Sequence, residues 1–231
     1  MLYFLIINLF ELLAAVAGTI YLKKAKYRED KLTRYFVWFL WLTVFVEIFG
    51  WNEWLIDKVE ELAYFGGTIL GNNLWVYNIY IVVSALFYSF LMKENTDSKK
   101  GNVFLKITMM VYFLLSICDF VFTDIFFTGI SFVAQFLGSI LVLLSVLQYF
   151  YKILQSDKIL SFHKELPFYI AIGTMTLYLV VTPLFIHLKY YSSKSPDFVN
   201  VYQFILMSAN IFTYSCYTIG FIVCSRKNKS Y

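Results

Sequence analysis

Residues 68–92, TILGNNLWVYNIYIVVSALFYSFLM, decide how this chain folds. The stretch is long enough to cross a bilayer as one helix, for which about 20 apolar residues suffice. Its first half nevertheless carries Asn72, Asn73 and Asn78, amides that hydrocarbon leaves without partners. A greasy helix with a polar half predicts polar neighbours.

The rest of the chain supplies them. It is 60% hydrophobic, 21% aromatic and only 15% charged, with a mean hydropathy of +0.68. A soluble domain carries about 25% charged residues, so a soluble core is the wrong picture. The apolar runs predict spans at residues 2–22, 35–56, 68–92, 103–123, 130–151, 167–188 and 201–224. The expectation is an all-α membrane protein, one seven-transmembrane helix bundle over residues 1–231. Three prolines and ten glycines leave no room for a low-complexity domain. Pro183, inside the sixth span, should kink it. Cys118, Cys216 and Cys224 fall in or beside apolar runs without zinc-like spacing and read as small core residues.

Charge sets the orientation. No Lys or Arg precedes the first run, whereas Lys23, Lys24, Lys26, Arg28, Lys31 and Arg34 follow it. That order is wrong for a cleaved signal peptide and right for an anchor whose N-terminus faces out. Alternation then leaves Lys58, Lys189 and Lys194 outside and every other one of the 19 basic residues inside. The expected layout is N-terminus outside and C-terminus cytoplasmic, in the cytoplasmic (inner) membrane, with the lipid bilayer as the first partner. Trp38 and Trp41 would settle at the inner interface and Trp51, Trp54 and Trp75 at the outer one. Trp75 stands apart because it lies among the asparagines.

Orientation gives each polar residue a depth. Glu47, Glu53, Asn72, Asn73, Asn78, Asp119, Gln135, Thr182, His187, Gln203 and Asn210 all fall in the outer half, with Glu11 close to mid-membrane. Helical phase groups them. Gln203, Met207, Asn210, Tyr214 and Tyr217 share one face of the seventh span, and Asn73, Tyr77, Tyr80 and Ser84 one stripe of the third, with Asn78 on another. Tyr112, Ser116 and Asp119 align in the fourth. Asn8, Glu11, Ala15 and Gly18 make a narrow face for close helix contact. The expected ligand-binding set is therefore Glu47, Asn72, Asn73, Trp75, Tyr77, Asn78, Asp119, Gln135, Gln203, Asn210 and Tyr214.

The acids are the sharpest signal. An ionised carboxylate near mid-membrane costs about 2.5–3.5 kcal/mol on insertion scales, and no Lys or Arg inside a span pairs with Glu11 or Glu47. Either the two are protonated, or they meet water or a bound cation, which makes them a candidate proton or cation site. Amides and hydroxyls that merely join helices are each worth about 0.6 kcal/mol. That plainer role fits Asn8, Ser84, Ser116 and Ser139.

The run N-x-W-x-Y-N-x-Y, here Asn73, Trp75, Tyr77, Asn78 and Tyr80, followed by a Phe/Tyr-rich half, resembles the third helix of uncharacterised bacterial seven-span integral membrane proteins. The resemblance covers one helix and implies no activity. Where those sequences carry an acid, this chain has Ser84.

Much familiar chemistry is missing. The seventh span has no lysine for a retinal Schiff base, and two histidines cannot build a His-rich metal site. No H-E-x-x-H, G-x-S-x-G or P-loop pattern occurs. The sequence points to no cofactor, no metal, no catalytic residue and no nucleic acid. Three readings follow. A receptor- or sensor-like protein would hold a small ligand or cation in an outward-facing polar and aromatic pocket and signal to a membrane or cytoplasmic protein partner. The alternative is a small-solute or cation transporter or channel using the carboxylates. A lipid-modifying enzyme is the weakest, because no nucleophile–base pair can be named.

Overall fold

We describe residues 2–24, 30–58, 71–96, 98–156, 161–188 and 196–226, together with Tyr64 and Thr68, of a computed structural model of the chain. Lys26, Arg28, Lys158, Lys189, Lys194, Lys227 and Lys229, and the side chains of Glu53 and His187, lie outside these residues. The described chain is helical: α1 (Leu2–Lys23), α2 (Lys31–Gly50), α3 (Asn52–Lys58), α4 (Leu74–Glu94), α5 (Lys99–Phe122), α6 (Ile125–Thr128), α7 (Phe132–Leu154), α8 (Leu166–Leu188) and α9 (Pro196–Arg226). Seven segments are long and apolar enough to cross a membrane, the second of them running Lys31–Ile56 over the α2–α3 junction.

Local chemistry shifts several boundaries from expectation. The second helix begins earlier, at Lys31, because Asp30 caps it by accepting from the amides of Leu32 at 3.1 Å and Thr33 at 3.4 Å. The third begins later, at Leu74, because Asn72 bends back to accept from Leu74 N at 2.8 Å and Asn73 takes the N-cap position. Ser98 and Ser131 cap α5 and α7 through Gly101 N at 3.3 Å and Ala134 N at 2.9 Å. The expected turn at residues 124–129 contains the one-turn helix α6. Pro183 lies inside α8.

Packing runs in a closed circuit. α2 lies against α1, α1 against α9, α9 against α8, α8 against α7, α7 against α4, and α4 against α2. The fourth span, α5, stands outside this circuit, against α7 and α4. Only Leu105, Tyr112 and Ser116 of α5 are buried, while Met110 is 67% and Val121 70% exposed. Apolar exposure on that scale suits hydrocarbon rather than water.

Small residues and rings set the distances. A Cβ on Gly18 would stand 2.7 Å from Val37 Cγ2 and 2.9 Å from Phe221 Cζ, so the glycine lets α1 seat closely between α2 and α9. Phe39 stacks on Phe87 at 4.3 Å, and Phe36 meets Tyr217 edge-on at 5.2 Å. Hydroxyls tie α4 to three neighbours. Tyr80 pairs with Thr43 of α2 at 2.8 Å, Ser84 with Tyr178 of α8 at 3.3 Å, and Tyr88 accepts from Tyr217 of α9 at 3.3 Å. The helix of the opening stretch is thus the hub of the bundle.

Candidate functional site

The three asparagines do two different jobs. Asn78 is fully buried. Its Nδ2 donates to the carbonyls of Gly129 at 2.8 Å and Phe126 at 3.1 Å, and its Oδ1 accepts from Ser131 N at 2.9 Å. Asn72 Nδ2 donates to Phe127 O at 2.7 Å. Both side chains stitch the α5–α7 connection to the top of α4, where its backbone groups would otherwise lack partners. Neither Asn72 nor Asn78 lines the larger cavity of the bundle.

Asn73 turns the other way. Its Nδ2 donates to Gly50 O at 2.7 Å, and its Oδ1 is buried with no partner among the described residues. It lines a cavity of about 740 Å³ enclosed by all six helices of the circuit. Glu47 and Gly50 of α2, Tyr77, Tyr80, Ser84 and Tyr88 of α4, and Gln135 of α7 contribute to its wall. So do Tyr178 and Phe185 of α8, and Tyr202, Asn210 and Tyr214 of α9. Phe4 and Ile7 come from α1, Trp54 from α3, and Trp51 from the turn between α2 and α3. From Asn73 to Tyr88 is fifteen residues of helix rise, about 22 Å at 1.5 Å per residue. The chamber therefore spans more than half of a core about 30 Å thick, a longer reach than the depth ordering of the sequence predicts.

Of the expected ligand-binding residues, Glu47, Asn73, Tyr77, Gln135, Asn210 and Tyr214 share this wall. The others do not. Trp75 packs edge-on against Phe49 at 6.2 Å. Asp119 accepts from Ser131 Oγ at 2.6 Å, on the peripheral helix α5. Gln203 is half-buried on α9 beside the wall residue Tyr202 but outside the wall. Glu11 is 3% exposed and sits behind the wall. It lies within electrostatic reach of Tyr214 and Glu47, and its Oε2 has no partner among the described residues. Two ionised carboxylates in such surroundings would repel each other with little solvent to screen them.

Sequence reasoning missed Tyr88, Tyr178, Tyr202 and Phe185 as site residues and gave Trp51 and Trp54 to the interface belt. Trp51 lines the chamber and is held there by α1: with the Asn8 amide oriented to satisfy its neighbours, Asn8 accepts from Trp51 Nε1 at 2.8 Å and donates to Phe4 O at 3.2 Å. Tyr80 and Ser84 were legible as members of the α4 stripe.

A second cavity, of about 520 Å³, opens at the opposite ends of the helices, between Asp30, Thr33, Asn95, Lys164 and Cys224. Phe36 lines this one and Tyr88 the first. Between them stands Tyr217, whose hydroxyl also pairs with Thr174 at 2.8 Å.

Fold and site together define a multi-pass helical membrane protein with a polar, aromatic-walled chamber among its spans. Comparison with protein-family models, curated proteins and solved structures gave no match.

Proposed function

We propose that this chain is a receptor- or sensor-like protein of the cytoplasmic membrane. It binds a small ligand in the 740 Å³ chamber, with its N-terminus outside and its basic C-terminal end in the cytoplasm. One observation carries the reading: a single chamber draws its wall from six packed helices and includes Glu47. A ligand filling it bears on the packing of every helix in the circuit, which is what lets occupancy bias one arrangement over another. The orientation rests on the crowding of Lys and Arg at one end of the spans. At that end a membrane or cytoplasmic partner reads the change.

The test is thermal unfolding of the purified full chain against a library of amines, amino acids, sugars, alcohols and carboxylates. A true ligand at a hundred times its Kd adds about 2.7 kcal/mol of stability. Val181→Trp places bulk in the wall and should abolish that gain whatever the ligand's chemistry. A library without a single stabilising compound, or a gain that survives Val181→Trp, contradicts the reading.

The second cavity favours transport as an alternative. Two chambers open at opposite ends, and the contacting residues Tyr88, Tyr217 and Phe36 run from the wall of one to the wall of the other. Movement of these residues would join the chambers into one path. Flux of a stabilising compound across proteoliposomes decides: transport adds the path, and binding without flux leaves a receptor.

A further inference from the structure

The chamber wall holds the acid Glu47 and a buried, unpartnered acceptor, with no cation beside them among the described residues. Several of its donors are already used: Asn73 Nδ2 by Gly50 O, Asn210 Nδ2 by Leu206 O at 2.9 Å, and Trp51 Nε1 by Asn8. A carbonyl oxygen can only accept, so these bonds fix which end of each amide is spent. Acceptors remain. Asn73 is 4% exposed and, among the described residues, its Oδ1 has no partner, Asn210 Oδ1 receives no bond, and no donor or cation reaches the Glu47 carboxyl. Among the described residues no Lys, Arg or His lines the wall. A buried acceptor left without a donor costs about 1–3 kcal/mol, so an occupant that donates hydrogen bonds and carries positive charge relieves the imbalance. An anion would worsen it.

The other surfaces narrow the class. Rings of Tyr77, Tyr178, Tyr202 and Trp54 surround these acceptors, and aromatic faces attract ammonium groups. A bare metal ion fits poorly, because no three His, Cys, Asp or Glu come together among the described residues and the chamber has room for an organic molecule. We propose that the ligand is a small organic ammonium ion. Its N–H groups bond Glu47, Asn73 Oδ1 and Asn210 Oδ1, and its apolar part lies against the aromatic wall. This inference rests on the reading of the chamber as a ligand site.

The experiment uses the purified full chain and matched probes: benzylamine and phenethylamine, their uncharged alcohols, their carboxylate counterparts, and sodium chloride at equal ionic strength. Thermal shift titrations should show saturable stabilisation by an amine and binding weaker by about tenfold or more for its alcohol, the cost of leaving a buried charge unpaired. The carboxylate should give no shift. Glu47→Gln should weaken the amine by about tenfold or more. Asn210→Ala alters a side chain bonded only to its own helix and should weaken it about threefold to tenfold, which serves if Glu47→Gln does not fold. Equal binding of amine and alcohol, or unchanged amine affinity in the variants, overturns the ammonium assignment. So does sodium alone reproducing the shift, or amines failing where an uncharged or anionic compound binds and is blocked by Val181→Trp. In those cases the chamber still stands as a site. Failure of every compound overturns both.

Discussion

Asn78→Leu is expected to destabilise the protein by about 3 kcal/mol or more, because it strands several buried backbone groups at once. The amide serves Gly129 O, Phe126 O and Ser131 N, and leucine can satisfy none of them. Ser131 is also the cap of α7 and the donor to Asp119, so the damage spreads to the start of a helix. Asn72→Ala provides the contrast. It loses the bond to Phe127 O and a turn at the start of α4, and should cost about 1 kcal/mol. Thermal unfolding in detergent measures both, and an Asn78→Leu protein as stable as the wild type would refute the scaffold role.

Gly173→Val should cost about 2 kcal/mol by overpacking. A Cβ there would lie 2.8 Å from Tyr217 Cε1 and 3.0 Å from the backbone carbonyl of Thr213, and a carbonyl on a facing helix cannot rotate away. The two helices must part, straining the Thr213–Gly173 bond of 3.0 Å and the Thr174–Tyr217 bond. Gly129→Ala is the control. Its Cβ meets only the flexible end of Ile125 at 3.1 Å, so the change should fall within about 0.5 kcal/mol. Equal melting of Gly173→Val and wild type would mean that α8 and α9 are not in this close contact.

These two variants also mark how far the sequence could be read. Span number and the polar halves of the spans followed from hydropathy and period, and the stripe Asn73–Tyr77–Tyr80–Ser84 followed from helical phase alone. Phase also put Asn78 on another stripe. It could not say what Asn78 touches, because its partners are backbone groups of a turn about fifty residues later, and a backbone carbonyl has no letter in the sequence. Asp119 shows a second limit. Its depth matched the other polar residues, but depth does not give a span's place in the circuit, and α5 lies outside. Tyr178 and Tyr202 show a third: among 19 tyrosines and 25 phenylalanines, nothing separates a wall residue from one in a lipid belt until the helices are packed.

The chamber itself is tested most directly by thiol labelling of two adjacent positions. In a chain whose Cys118, Cys216 and Cys224 are replaced by alanine, Ser84→Cys would face the chamber, whereas Val83, 38% exposed and outside the chamber wall, would face lipid in the proposed arrangement. A charged, membrane-impermeant reagent applied from the N-terminal side should modify Ser84→Cys and leave Val83→Cys untouched, since thiols in hydrocarbon do not ionise and charged reagents do not enter. Protection of Ser84→Cys, or labelling of it only from the cytoplasmic side, would contradict an outward-opening polar chamber among these helices.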